Sequence, residues 1–228
     1  MTNAILGIDA NTQKFKHIPK KILYNDSAFS LLIRPLIEND AETVHNTVMH
    51  SVNDLRPFMD WSHNELSVKG QFDRIGRSIK AYQFCIEFDF AVFDHVTGKF
   101  VMSASLSAPQ TPNKTALGVG YWVSSEYSGK GIATILTKIL LILAFDVLCC
   151  SRIEIGCNKA NLKSLNVIKK CGFIFEGEAR NYFSEATPEM ILNGCDQERT
   201  CLKFALIPED VKGLSWYAEI KEKILVVL

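Results

Sequence analysis

The stretch GYWVSSEYSGKGIATILTKILLILAF, residues Gly120–Phe145, changes character twice. Its opening, taken back to Thr115 as TALGVGYWV, reads as a strand. Gly118 and Gly120 leave the backbone of that strand exposed and permit a bulge or splay, a slot where an extended ligand can pair with main-chain groups. From about 131 to 148 the chain is apolar on nearly every side and reads as a buried helix, broken only by Lys138 and ended by Asp146. Between the two lies Ser128-Gly129-Lys130-Gly131-Ile132-Ala133. A helix N-terminus exposes unpaired N–H groups and the positive end of the macrodipole, and glycine just ahead of it lets an anion approach the backbone. The turn therefore has the makings of a phosphate cradle. It is neither GxxxxGK[ST] nor GxGxxG, and two glycines also suffice for a tight strand-to-helix turn. Spacing alone leaves both readings open.

Working outward, the strand SRIEIGC follows the helix, then a helix over 162–171 with Asn161 and Ser164 at its start, then the strand FIFEGEA. A long polar loop over 180–197 precedes the strand RTCLKFAL. Strand and helix in alternation make a crossover unit, and neighbouring parallel strands that each end in a helix N-terminus create a crevice at their C-terminal edge. Upstream, FCIEFDFAVFD and FVMSASLS read as an antiparallel meander in which Ile86, Phe88, Phe90 and Val92 share a face. Before it, SLLIRPL is a strand, a helix begins near Asn39 or Asp40, Pro57 interrupts it, and a second helix spans about Glu65–Ala81. The expected architecture is α/β (α+β), with a mixed sheet of about seven strands flanked by helices. Residues 1–29 form an extension, 30–207 the domain and 208–228 a helical, peripheral tail.

Composition narrows the chemistry. Lysine plus arginine and aspartate plus glutamate both number 25 in 228 residues, so no net field gathers nucleic acid or an anionic membrane. Seven cysteines, odd in number and mostly in apolar runs, behave as small hydrophobes and point to a reducing, cytoplasmic setting. The N-terminus lacks the features of a signal peptide, and the longest apolar run falls short of the ~20 residues of a membrane span. The histidines and cysteines have no metal-ligand spacing, so no metal is expected.

GYWVSSEYSGKGIATILTKILLILAF followed by RIEIGCNKANLKSLNVIKKCGFIFEGEAR resembles the GNAT superfamily of acyl-CoA-dependent N-acetyltransferases, in particular the RimJ/RimL type that acetylates protein N-termini. LLIRPLIENDAE and LRPFMDW look like that type's first strand and helix-loop region. The resemblance implies that Ser128, Gly129, Lys130, Gly131, Ile132 and Ala133 hold the pyrophosphate of acetyl-CoA. The family pattern there is Gln or Arg, two residues, Gly, one residue, Gly or Ala; Gly131 and Ala133 match, and Ser128 departs from it. The resemblance further implies that backbone groups of Tyr121, Trp122 and Val123 pair with the pantetheine arm and that Asn161 contacts it from the other side.

Direct attack of an amine on a thioester needs a neutral amine, a polarised carbonyl and a proton for the departing thiolate. Many GNAT enzymes carry a tyrosine donor at the position held here by Ile168; in the RimL type the serine of Asn-x-x-Ser is the proposed donor, and Ser164 matches it. That serine could equally be an ordinary first-turn residue of a helix capped by Asn161. Glu178 and Glu185 are candidates for the base, beside the alternatives of a water chain or an amine that arrives neutral. Phe58, Asp60 and Trp61 are candidates to line the acceptor pocket, Asp60 by attracting an ammonium, or to pack helices on the sheet. The loop over 180–197 folds over the acceptor or forms a homodimer contact. An acetyltransferase for a protein N-terminus leads; a small-amine acetyltransferase and a non-catalytic acyl-CoA-binding module stay open.

Overall fold

The computed structural model describes residues 19–64, 66–108 and 115–228. Residues 1–18 of the expected extension, Glu65 at the expected helix start and loop residues 109–114 lie outside the described residues. The described strands are β1 (Lys21–Asn25), β2 (Ser30–Pro35), β3 (Glu87–Asp94), β4 (Phe100–Ser107), β5 (Ala116–Val123), β6 (Arg152–Asn158), β7 (Ile174–Ala179), β8 (Cys201–Leu206) and β9 (Ile224–Val227). They form one sheet in the order β7-β8-β6-β5-β4-β3-β2-β1-β9. Strands β2 to β5 run antiparallel, as the meander predicts, and β6 is parallel to β5. The connection between β5 and β6 is α3 (Ile132–Ile142), extended by a π-helical turn over Leu143–Val147. Strand β8 lies between β6 and β7 and pairs antiparallel with both.

Two apolar clusters flank the sheet. Phe88, Phe90 and Val92 point one way, onto Leu136, Ile139, Leu140 and Leu143 of the α3 segment. This explains why α3 is apolar all round: sheet lies on one side and α4 (Leu162–Cys171) and α7 (Trp216–Glu222) cover others. Ala91 and Phe100 belong to the second cluster, with Val44 and Val48 of α1 (Ala41–Leu55) and Ile75 of α2 (Val68–Gln83). Short helices α5 (Pro188–Leu192) and α6 (Pro208–Val211) occupy the later loops.

The count of about seven strands becomes nine among the described residues because 21–25, within the expected extension, and 224–227, within the expected tail, add β1 and β9 at one edge of the sheet. Tail residues 224–227 form β9 beside β1, with Ile22 opposite Val226 and Tyr24 opposite Ile224. Strand β1 buries Ile22 and Tyr24 alternately. Asp26 closes its hairpin to β2 by accepting from the backbone N–H of Ala28 (2.8 Å) and Phe29 (2.7 Å). Two buried positions separated by one residue are too short a period to see in sequence; the partner strand supplies the rest of the signal.

Six of the seven cysteines are buried and Cys149 is exposed. Burial pushes the Cys157 thiol up to about 11 and the Cys171 thiol up to about 12. Ellman's reagent at neutral pH should therefore titrate one thiol rapidly in the folded protein and the other six only on unfolding, and Cys149→Ser should remove the fast phase. A second rapid thiol in that variant would contradict the packing described here.

Candidate active site

The strand glycines read from the sequence mark a place where the sheet comes apart. Strands β5 and β6 pair only at Ala116–Arg152, Leu117–Ile153 and Gly118–Glu154. Beyond Gly118, β5 continues paired to β4 alone, with Tyr121 opposite Ala104 and Trp122 opposite Ser103, while β6 continues paired to β8. Every second backbone group along the free edge of β5 thus faces a slot. That slot opens into a cavity of about 1280 Å³ lined by Tyr121, Trp122, Cys157, Asn161 and Ser164 among others.

Two helix N-termini flank the slot. Gly131 is the N-cap of α3, with φ +87°, and Gly129 has φ +77°. Both lie in the left-handed region, and a Cβ at either would meet nothing within 4 Å, so the turn faces open space. The backbone N–H groups of Gly129, Gly131, Ile132 and Ala133 have no partner among the described residues. A tight turn needs the two conformations; it does not need four unpartnered donors beside them. Lys130 stands over the Tyr127 ring at 5.0 Å. Ser128, at the position where the family pattern has Gln or Arg, accepts a hydrogen bond from Lys163 Nζ at 3.4 Å. Lys163 thus brings a cation from α4 to the turn, a contribution the sequence reading missed because the two residues are 35 positions apart.

On the other flank, Asn161 caps α4 by accepting from the Ser164 N–H at 3.0 Å. This leaves the Ser164 side chain facing the slot, where its Oγ lies 3.0 Å from the Tyr121 hydroxyl. The Cys157 thiol lines the same cavity beside Ser164. Burial raises the Tyr121 pKa well above the usual phenol range, a shift that the bond to Ser164 only partly opposes, so the phenol stays protonated. The sequence reading took only the backbone of Tyr121; its side chain is the second hydroxyl of the pair. Ile168 is fully buried, as its apolar side chain requires.

The acidic candidates fare differently. Glu178 is exposed on β7 and ion-paired to Lys159 at 3.2 Å, and Glu185 is exposed in the following loop; neither lines the cavity. Phe58, Trp61 and Phe183 do line it. Trp61 lies 6.2 Å from Trp122, which in turn packs on Phe100 at 5.6 Å. Asp60 is engaged by the buried Arg199 guanidinium and accepts from the Ser184 N–H at 3.3 Å, so it is an anchor for the 180–199 loop rather than an open ammonium trap. The carboxylates that line the cavity are Glu87 and Asp89 of β3. Among the described residues, no three His, Cys, Asp or Glu side chains come together as a metal site, and no helix is long and apolar enough to cross a membrane.

Comparison with known proteins identifies the family. Residues 30–174 match the family described as acetyltransferase (GNAT) domain. The probable N-acetyltransferase YjcK of Bacillus subtilis is 30% identical over 156 residues, which cover 66% of this chain and 84% of that protein. The solved ribosomal-protein-S5-alanine acetyltransferase of Vibrio fischeri superposes with a TM-score of 0.69 at 26% identity, covering 82% of this chain and 97% of that one. RimJ of Mycobacterium smegmatis, solved in complex with CoA-disulfide, superposes with a TM-score of 0.74 over 90% of this chain and 96% of its own; at 20% identity it attests the fold alone.

Proposed function

Because the chain belongs to the GNAT family and is an acetyl-CoA-dependent N-acetyltransferase, we propose that its acceptor is a protein N-terminal α-amino group. The observation that carries this reading is where the carboxylates lie. Those lining the cavity are on β3, two strands away from β5 and the Tyr121–Ser164 pair. An acceptor attacked there must lose its proton without a carboxylate beside it. An α-amino group, with a pKa of about 8, is partly neutral near pH 7; a lysine or polyamine nitrogen near 10.4 is not. The Vibrio fischeri relative, named for the alanine of a ribosomal protein, supports the same class.

In this reading the turn at Ser128–Ala133 holds the pyrophosphate of acetyl-CoA through the unpaired N–H groups, with Lys130 and Lys163 adding charge. The fit rests on the open space in front of Gly129 and Gly131. Backbone groups of Tyr121, Trp122 and Val123 on the free edge of β5 align the pantetheine arm, and a main-chain N–H there polarises the thioester carbonyl. The neutral amine attacks directly: a C–N bond forms, the C–S bond breaks and the amine's surplus proton leaves to water. Ser164 donates its proton to the departing thiolate as it takes one from Tyr121, 3.0 Å away, and the proton that the amine released to water returns to Tyr121, so the phenol ends protonated as it began. Trp61 and Phe58 flank the acceptor.

Thiol release from acetyl-CoA should be rapid with N-terminal peptides and slow with lysine side chains or polyamines at pH 7, the gap closing as pH rises. Equal rates on both classes at neutral pH would remove the N-terminal reading. Ser164→Ala should lower kcat by about 100-fold with acetyl-CoA affinity by calorimetry unchanged; full turnover in that variant would take Ser164 out of the chemistry.

A further inference from the structure

The cavity continues away from the slot, under α2, and this arm is not needed for acetyl transfer itself. Its floor is one face of β3–β5, where Asp89 lies opposite Ser105 and Ser105 opposite Gly120. The small residues keep that floor low; a Cβ on Gly120 would come within 3.0 Å of Ser105 Oγ. The roof is the face of α2 carrying Gln71, Arg74 and Ser78.

One acid–base pair in the arm is closed. Asp89 pairs with Arg74 at 3.6 Å, and Arg74 Nε donates to Gln71 Oε1 at 3.0 Å. Glu87 differs: it accepts no hydrogen bond and forms no ion pair among the described residues. Burial, and then Asp89, push its carboxyl above the usual range, with Arg74 pulling the other way. Arg77 and Lys80 stand exposed at the rim of the arm and do not reverse that balance. A second, independent feature lies opposite. Ser78 is 6% exposed and lines the arm, yet its hydroxyl, which can accept as well as donate, has no protein partner among the described residues. Polar groups held in such a place take their partner from a ligand or from water.

We propose that Glu87, with Ser78, forms a subsite for a second, cationic group of the acceptor: a lysine or arginine side chain at the second or third residue of the N-terminal segment. The proposal rests on the N-terminal reading above. Neighbouring strands are about 4.8 Å apart, which places β3 about 10 Å from β5. That is beyond the single hydrogen bond or bridging water a general base requires. It suits recognition instead, since each extended residue advances about 3.4 Å and a lysine arm covers the remainder.

The test uses peptides alike at residue 1 and bearing Lys, Ala or Glu at residues 2 and 3. The wild-type enzyme should favour Lys over Ala by about tenfold in kcat/KM, the scale of one partly buried charge pair, with Glu weaker still. Glu87→Gln should bring the Lys/Ala ratio close to one, mainly through KM. The same ratio in both proteins, or no Lys preference in the wild type, overturns the subsite while peptide turnover keeps the N-terminal reading. Calorimetric binding of the Lys and Ala peptides to CoA-loaded protein reads the same preference without turnover, and no difference there also overturns it. Should only a diamine be acetylated, with its KM raised by Glu87→Gln, the cationic subsite stands and the N-terminal reading fails.

Discussion

Gly131→Asp should abolish acetyl-CoA binding, lowering affinity by at least about 100-fold through a carboxylate placed where the helix dipole and the free N–H groups favour a negative ligand. The variant should still fold. A Cβ at Gly131 meets nothing within 4 Å, so the side chain itself causes no clash. The backbone is the only structural obstacle: φ is +87°, a conformation that costs a non-glycine residue about 1–2 kcal/mol. Gly131→Ala carries that strain without the charge and serves as the control. Calorimetry on both variants, beside thermal melts, separates the terms: similar melts and a much larger affinity loss for Asp identify an anion site. Unchanged affinity in the Asp variant would show that the turn serves only the chain's own path from β5 to α3.

The second large effect concerns Arg199. This side chain is 1% exposed. Its Nε donates to the Ser184 carbonyl at 2.6 Å, its Nη1 to Cys195 Sγ at 2.7 Å and its Nη2 to the Asp60 carboxylate, and the guanidinium lies 5.3 Å from the Phe183 ring centre. One residue thereby ties the loop after β7 to the 56–63 segment at the cavity. Arg199→Ala should cost about 2–3 kcal/mol, through the loop hydrogen bonds it removes; the Asp60 carboxylate left behind is over a third exposed and stays solvated, so the loss falls below that of a fully buried ion pair. Chemical denaturation measures that loss, and the acceptor KM should rise as Phe183 loses its support. Asp60→Asn keeps a hydrogen-bond acceptor but leaves the guanidinium uncompensated, so it should also destabilise. If Arg199→Ala melted within a degree of the wild type and kept its KM, the loop would be held by other contacts.

These two residues show how unevenly the site was legible in sequence. Gly131 announces itself because the information is local: the αL conformation, the free donors and the helix start lie within six consecutive residues. The same holds for Asn161 and Ser164, whose capping bond spans three positions. Asp60 looks in sequence like an open acid beside two aromatics, and its partner is 139 positions away. Glu87 and Asp89 look like the polar half of an alternating strand; only the low floor of Ser105 and Gly120, and the placing of α2 above it, turn them into cavity walls. The side-chain role of Tyr121 stayed hidden for the same reason, since the splay that lets its hydroxyl meet Ser164 depends on where β6 leaves β5.

By itself the sequence determined the alternation that buries Phe88, Phe90 and Val92, the all-round apolar α3 that must be covered on every side, the crossover from β5 to β6 and the glycine turn at its head. These follow from periodicity and backbone sterics within a few residues, which no distant contact needs to supply. The tertiary structure decided that residues 21–25 and 224–227 pair as β1 and β9, that Arg199 engages Asp60, and that Glu87 and Ser164 look into one cavity. Each of those outcomes joins positions far apart in the chain, where neither propensity nor spacing carries information and only the packing of the assembled layers chooses the partner.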